Sequence, residues 1–196
     1  MSGFTLYVAR HGQTVMNAQN RYPGHGLTPL TALGEEQART MGQILKRELG
    51  PRPALRFIAS PLLRAQETMR LIRGELDLFP YGFATDAGLV DIDHGSWTGF
   101  TPEEMAARDL ENYHAHMADK WDVPMRGGES YSHLAARVKL VLDKLTGDAV
   151  TVSHGATTQV LRGLLTGMAV HDIPNLEEPQ GVVFRIRDGV CELLTL

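Results

Sequence analysis

The chain has little of what several function classes require. A single cysteine, Cys191, stands among 196 residues, so no internal disulfide and no cysteine-built zinc site is expected. No apolar run approaches the length of a membrane span, and MSGFTLYVARHG turns charged too early to read as a signal peptide. Basic charge is not in surplus: the formal net charge is −4, which leaves no polybasic footprint for nucleic acid or an anionic membrane surface. No internal repeat, low-complexity tract or linker breaks the sequence. Hydrophobic residues at 43% and charged residues at 21% fit one globular domain over 1–196 with a real core. A cytoplasmic protein with no nucleic-acid or membrane partner is the expectation.

Strand and helix patterns alternate. FTLYVA (4–9), LRFIA (55–59) and AVTVS (149–153) read as short buried strands. Thr31 is placed to cap a helix carrying Glu35 and Glu36 in its first turn, with Leu33, Met41, Ile44, Leu45 and Leu49 near one face. Ser60-Pro61 reads as a helix start, with Pro61 at the first helical position and the helix running to about Leu78. A strand and loop are expected over 86–99. Thr101-Pro102-Glu103-Glu104 has the order of a helix N-terminus. Further helices are expected over 129–145 and from Gly155 to about Leu165. Near the end, VVFRI and VCELL flank Asp188-Gly189, the signature of a hairpin. The pattern predicts an α/β fold with a mostly parallel sheet and an antiparallel C-terminal edge.

Ligands of open α/β sheets bind beyond the carboxyl ends of the strands. There the first strand delivers Arg10-His11-Gly12, the second Ser60-Pro61 and, one turn on, Arg64, and the third His154-Gly155. Two histidines and two arginines thus converge from distant segments. Arginine grips phosphoryl oxygens bidentately, and helix N-termini after Gly12 and Gly155 offer free N–H groups. A histidine held neutral by neighbouring arginines can attack phosphorus, and His154 can donate to an equatorial oxygen. The scheme uses no metal and no cofactor. Ser153-His154-Gly155 is not a nucleophile elbow, and there is no Walker-type loop.

ARHGQTVMN (9–17), PLTALGEEQA (29–38), SPLLRAQET (60–68), GGES (127–130) and VSHG (152–155) occur in an order that resembles the histidine phosphatase superfamily, in its phosphoglycerate-mutase-like branch. The resemblance implies a three-layer α/β/α sandwich and a phosphohistidine formed on the tele nitrogen of His11. It further implies that Arg10, Arg64 and His154 bind the phosphoryl group, with Gly155 beside them, and that Asn17 contacts phosphate and supports the pocket. Gln13, in the same loop, is a substrate contact. The family's acid lies in a Leu-x-Glu-x-x-x-Gly-x-x-x-Gly segment, which here runs from Leu89 to Gly99 and puts Asp91 at the acid position. Aspartate is one methylene shorter, so its reach is the open point, with Asp93, His94 and Glu103 as alternatives. Leu27 stands where an aspartate is frequent and Thr98 where a glutamate is. Both departures bear on substrate contacts, as do His25 and a short substrate-covering insertion over about 101–128.

The reading that follows is a phosphomonoesterase acting on a small phosphorylated metabolite. A phosphoglycerate mutase is the alternative; the short insertion and the chain's end just after the hairpin tilt against it, because an open site admits water. A catalytically weak phospholigand-binding protein is a third reading. A metal hydrolase built on His11, His154 and Asp91 is disfavoured by the adjacent arginines, which repel a cation.

Overall fold

A computed structural model describes residues 3–196; Met1 and Ser2, the start of the predicted domain, lie outside the described residues. Six strands form one sheet: β1 (Leu6–Arg10), β2 (Arg56–Ala59), β3 (Ala84–Thr85), β4 (Ala149–Ser153), β5 (Val183–Arg187) and β6 (Val190–Leu194). Their spatial order is β3-β2-β4-β1-β5-β6. The first four run parallel, β5 pairs antiparallel with β1, and β6 pairs antiparallel with β5. The helices are α1 (Val15–Ala18), α2 (Ala32–Leu49), α3 (Leu63–Glu75), α4 (Pro102–Arg108), α5 (Leu110–Ala118), α6 (Tyr131–Leu142) and α7 (Gly155–Thr166). No helix among the described residues is long and apolar enough to cross a membrane.

The sandwich follows from the period of two along each strand. Leu6 and Val8 of β1 join a core with Leu134 and Val138 of α6 and Val160 and Leu161 of α7. Tyr7 and Ala9 point the other way, into a core with Met41, Ile44 and Leu45 of α2 and Met69 and Ile72 of α3. The central strands are buried on both faces, which explains their continuous apolar runs. The β5–β6 turn places Asp188 and Gly189 at φ 50° and 80°, the double positive φ that the Asp-Gly pair predicts.

Several local expectations are corrected. Helix α3 begins at Leu63, not Pro61, and its N-cap Leu62 makes no side-chain cap bond. Ser60 is occupied elsewhere: its Oγ accepts from the Leu62 amide at 3.3 Å and bonds to His154 at 2.7 Å. The segment 86–99 holds two 3₁₀ turns, Ala87–Leu89 and Gly95–Trp97, and the short strand β3 lies just upstream. Asp86 explains the first turn by accepting from the Gly88 amide at 2.8 Å. Leu33 is 48% exposed and does not join the apolar face of α2. Helix α6 is shorter than predicted, opening at the Ser130 cap. The N-terminus of α4 forms as read, with Thr101 and Glu104 in a reciprocal capping box and Pro102 in the first turn.

Candidate active site

Three adjacent strands, β2, β4 and β1, end side by side, and the predicted residues project from their carboxyl ends. The His11 amide continues the ladder by donating to the Ser153 carbonyl at 2.9 Å. The chain then turns tightly against the start of α2, where a Cβ on Gly12 would lie 2.1 Å from the Gly34 carbonyl oxygen. Only glycine fits that approach. His11 is 1% exposed, and its Nδ1 lies 2.7 Å from the Gly12 carbonyl oxygen. A carbonyl only accepts, so Nδ1 carries the proton and Nε2 keeps its lone pair. Arg64 Nε donates to that Nε2 at 3.2 Å. Burial, then the Arg10 and Arg64 charges, hold the imidazole well below its ordinary pKa, so it is neutral at pH 7.

Arg64 is fully buried. Besides His11, it donates to the Gly24 and Gly26 carbonyls at 2.7 and 3.2 Å and to Asp91 Oδ2 at 3.0 Å. His154 caps α7, with its ring centroid 5.2 Å from that of His11. Its Nε2 is 2.7 Å from Ser60 Oγ, and its Nδ1 lies 3.8 Å from Asp91 Oδ2. Burial, then His11 and the two arginines, depress its pKa as well. Two buried nitrogens here have no hydrogen-bond partner, His154 Nδ1 and Arg10 Nε. Such atoms ordinarily cost about 1–3 kcal/mol each and point to a ligand or a role.

Asp91 reaches this cluster despite its short side chain. A clamp beneath it does the positioning. Arg137 donates to the Gly88, Val90 and Asp91 carbonyls at 2.9, 2.7 and 2.8 Å, and its guanidinium also bonds both carboxylate oxygens of Glu129. Thr157 adds a bond to the Val90 carbonyl at 3.0 Å. The other acids considered are placed differently. Asp93 caps the Gly95 amide at 2.8 Å and Glu103 is exposed on α4. His94 is buried in the lining of the cavity over this cluster, with Nδ1 3.1 Å from Met125 Sδ.

A cavity of about 550 Å³ opens over this floor. Arg10, His11, Gln13, Asn17, Asp91 and Gly155 line it, whereas Arg64, His154 and His25 do not. His25 is exposed and turns to the Asp91 carbonyl, 2.9 Å from its Nε2, so it braces the loop instead of facing the cavity. Asn17 closes a capping box with Thr14 and accepts from Gln180 Nε2 at 3.4 Å. Gln13 Oε1 accepts from Thr31 Oγ1 at 3.0 Å.

The sequence reading missed the wall that follows α7. Gln180 donates to the His11 carbonyl at 3.1 Å. The Glu178 carbonyl accepts from Arg10 Nη1 at 2.9 Å, and its carboxylate pairs with Arg162 at 2.7 Å and bonds Thr158. Burial pushes the Glu178 carboxyl up to about 7. It also missed His116 of α5, which is buried in the cavity lining. No motif marks these residues; only the packing of α5 and of the 176–181 loop brings them in. Among the described residues, the His/Asp grouping with metal-holding spacing is Asp119, Asp122 and His171, a partly exposed set outside this cavity.

The model of the histidine phosphatase superfamily, branch 1, matches residues 6–193. A 2,3-bisphosphoglycerate-dependent phosphoglycerate mutase of Methylobacterium sp. (strain 4-46) is 33% identical, the match covering 93% of this chain and 91% of the relative. Among solved structures, a putative alpha-ribazole-5′-P phosphatase from Escherichia coli superposes with a TM-score of 0.83 at 27% identity, covering 98% of this chain and 95% of that one. A mycobacterial glucosyl-3-phosphoglycerate phosphatase, solved with VO3, gives 0.78 at 27% identity, with 98% of each chain covered. The chain belongs to the histidine phosphatase superfamily, branch 1. Length does not separate it from mutases, since it spans nearly all of the curated relative.

Proposed function

We propose that this superfamily member is a phosphomonoester hydrolase that works through a phosphohistidine on His11, in a single domain, on a small phosphorylated metabolite. One observation carries the reading: a neutral, buried histidine whose Nε2 lone pair is met by Arg64 Nε at 3.2 Å sits beside two buried nitrogens, Arg10 Nε and His154 Nδ1, that lack partners. A phosphoryl group in the cavity would meet His11 and Arg10, and its transfer to His11 Nε2 would bring an oxygen toward His154 Nδ1. If the Ser60 hydroxyl donates to His154 Nε2, the proton of His154 sits on Nδ1 and faces a phosphoryl oxygen. Arg10 and the N-terminal amides of α7 would take further oxygens. Arg64 Nε, now bonded to His11 Nε2, would pass to the phosphoryl group as the lone pair turns to attack.

In the first step the Nε2–P bond forms as the bond from phosphorus to the alcohol oxygen breaks, and Asp91 gives its proton to that oxygen. In the second, water attacks phosphorus, its proton goes to Asp91, and the Nε2–P bond breaks to release inorganic phosphate. The protein stabilises charge at both steps and does little covalent chemistry beyond His11. The lone cysteine fits a reducing compartment, and we place the protein in the cytoplasm.

The curated mutase relatives favour a second reading, in which the phosphohistidine returns its phosphoryl group to a phosphoglycerate. Incubation with 3-phosphoglycerate and catalytic 2,3-bisphosphoglycerate separates the two. The hydrolase reading expects phosphate release to dominate. Rapid interconversion with negligible phosphate release would overturn it in favour of the mutase.

A further inference from the structure

The cavity extends well beyond the phosphoryl end, and its far portion has a chemistry of its own. We propose, resting on the hydrolase reading above, that the leaving alcohol is uncharged and carries a flat ring with a hydrogen-bonding edge, as in a nucleoside monophosphate. The volume is the first support. About 550 Å³ lies in the range of sites for drug-sized ligands, far more than a three-carbon acid fills.

The lining is the second. Beyond His11 the walls carry Tyr22, Trp97, Tyr113, Met105, Met117 and Met125, a set suited to aromatic faces. Charge is the third. Arg21 is held bidentately by Glu104 at 2.6 and 2.9 Å and also donates to the Gly99 carbonyl. Lys120 is then the one lining cation beyond Arg10 with no ion pair among the described residues. A phosphoglycerate carboxylate would have Lys120 alone to pair with there.

The polar edge is the fourth support. Trp97 is 2% exposed, lines the cavity and has no partner for its indole N–H. Its ring lies 5.7 Å from that of His116. His116 Nδ1 is 2.7 Å from the Val123 carbonyl, so Nδ1 carries the proton and Nε2 is an acceptor. Burial keeps that imidazole neutral. The same stretch of wall thus carries an unpartnered donor, the Trp97 N–H, and an acceptor, His116 Nε2, on rings 5.7 Å apart.

The test compares esters of primary alcohols, so that leaving ability is matched: adenosine 5′-monophosphate, 2-phenylethyl phosphate, glycerol 3-phosphate and 3-phosphoglycerate. The expected kcat/KM for each ring ester exceeds that for each three-carbon ester by about 100-fold or more. Trp97→Phe keeps the ring but removes the donor. It is expected to lower adenosine 5′-monophosphate turnover by about 5- to 10-fold and to leave 2-phenylethyl phosphate little changed. Unchanged orthovanadate inhibition would report an intact phosphoryl end in this variant. Equal or faster turnover of the three-carbon esters, with phosphate still released, would overturn the ring assignment and leave the hydrolase reading standing. Equal losses on both ring esters in Trp97→Phe would overturn the polar edge. No phosphate release from any ester would instead sink the hydrolase reading.

Discussion

The floor of the cavity and its outer wall are built in different ways. Arg10, His11 and His154 sit at or just past the ends of β1 and β4, and Arg64 lies in the first turn of α3 after β2, so the sheet itself fixes their spacing. His11, Arg64 and His154 are each at most 2% exposed. The wall comes from α4, α5 and the 176–181 loop, with Tyr22 and Met117 more than 40% exposed at its mouth. A rigid floor suits chemistry that demands in-line placement and fixed dipoles. A wall on short helices and loops can vary without disturbing it. Changes in the floor should therefore reduce turnover of every substrate together, and changes in the wall should alter the ratio between substrates.

The largest effect is expected from His11→Ala, which should lower kcat/KM by at least about 10⁴-fold on all esters, as loss of a nucleophile does. Activity within tenfold of wild type would break the distinction at its base. Arg64→Met should cost about 10³-fold, again uniformly, because it removes the bond to His11 Nε2 and the partner of Asp91 together. A substrate-selective loss would move Arg64 from the floor to the wall.

Arg137 sharpens the comparison, since it touches neither region directly and acts through Asp91. Arg137→Met should cost about 100-fold on alkyl esters and little on p-nitrophenyl phosphate, whose leaving group needs no proton. Combined with Asp91→Asn it should add almost nothing. Equal losses on both esters would mean that Arg137 serves only the fold.

The smallest effect concerns Glu178, where wall meets floor. Its folded-state carboxyl is raised from 4.5 to about 7 by burial. The protonated form is therefore favoured in the native state. The stability this contributes is fully present below pH 4.5 and is lost as pH rises through about 7. Glu178→Gln should remove that loss, gaining on wild type by on the order of 2 kcal/mol between pH 5 and pH 8, as read from urea unfolding at both pH values. A difference that does not change with pH would contradict the raised carboxyl.

The same division separates what the sequence made legible from what it hid. Strand-end residues were readable because a buried apolar run followed by Arg-His-Gly or His-Gly has one plausible place in an α/β fold. Asp91 was readable as a position but not as a reach; its closeness to Arg64 depends on the Arg137–Glu129 clamp, which joins residues far apart in the chain. Pro61 misled, because Ser60 is drawn to His154 and helix α3 starts two residues later. His25 looked like a substrate contact and instead braces the Asp91 loop. His116, Glu178 and Gln180 carry no local pattern; their roles arise only when distant elements close over β1.

The account rests on which atom of His11 takes the phosphoryl group. Denaturing quench of the enzyme with a ³²P-labelled ester, followed by peptide mapping and separation of the two phosphohistidine isomers, measures it directly. Label on Nε2 of His11 is the predicted result, because Nδ1 is committed to the Gly12 carbonyl. Label on Nδ1, or on any other residue, would contradict the account.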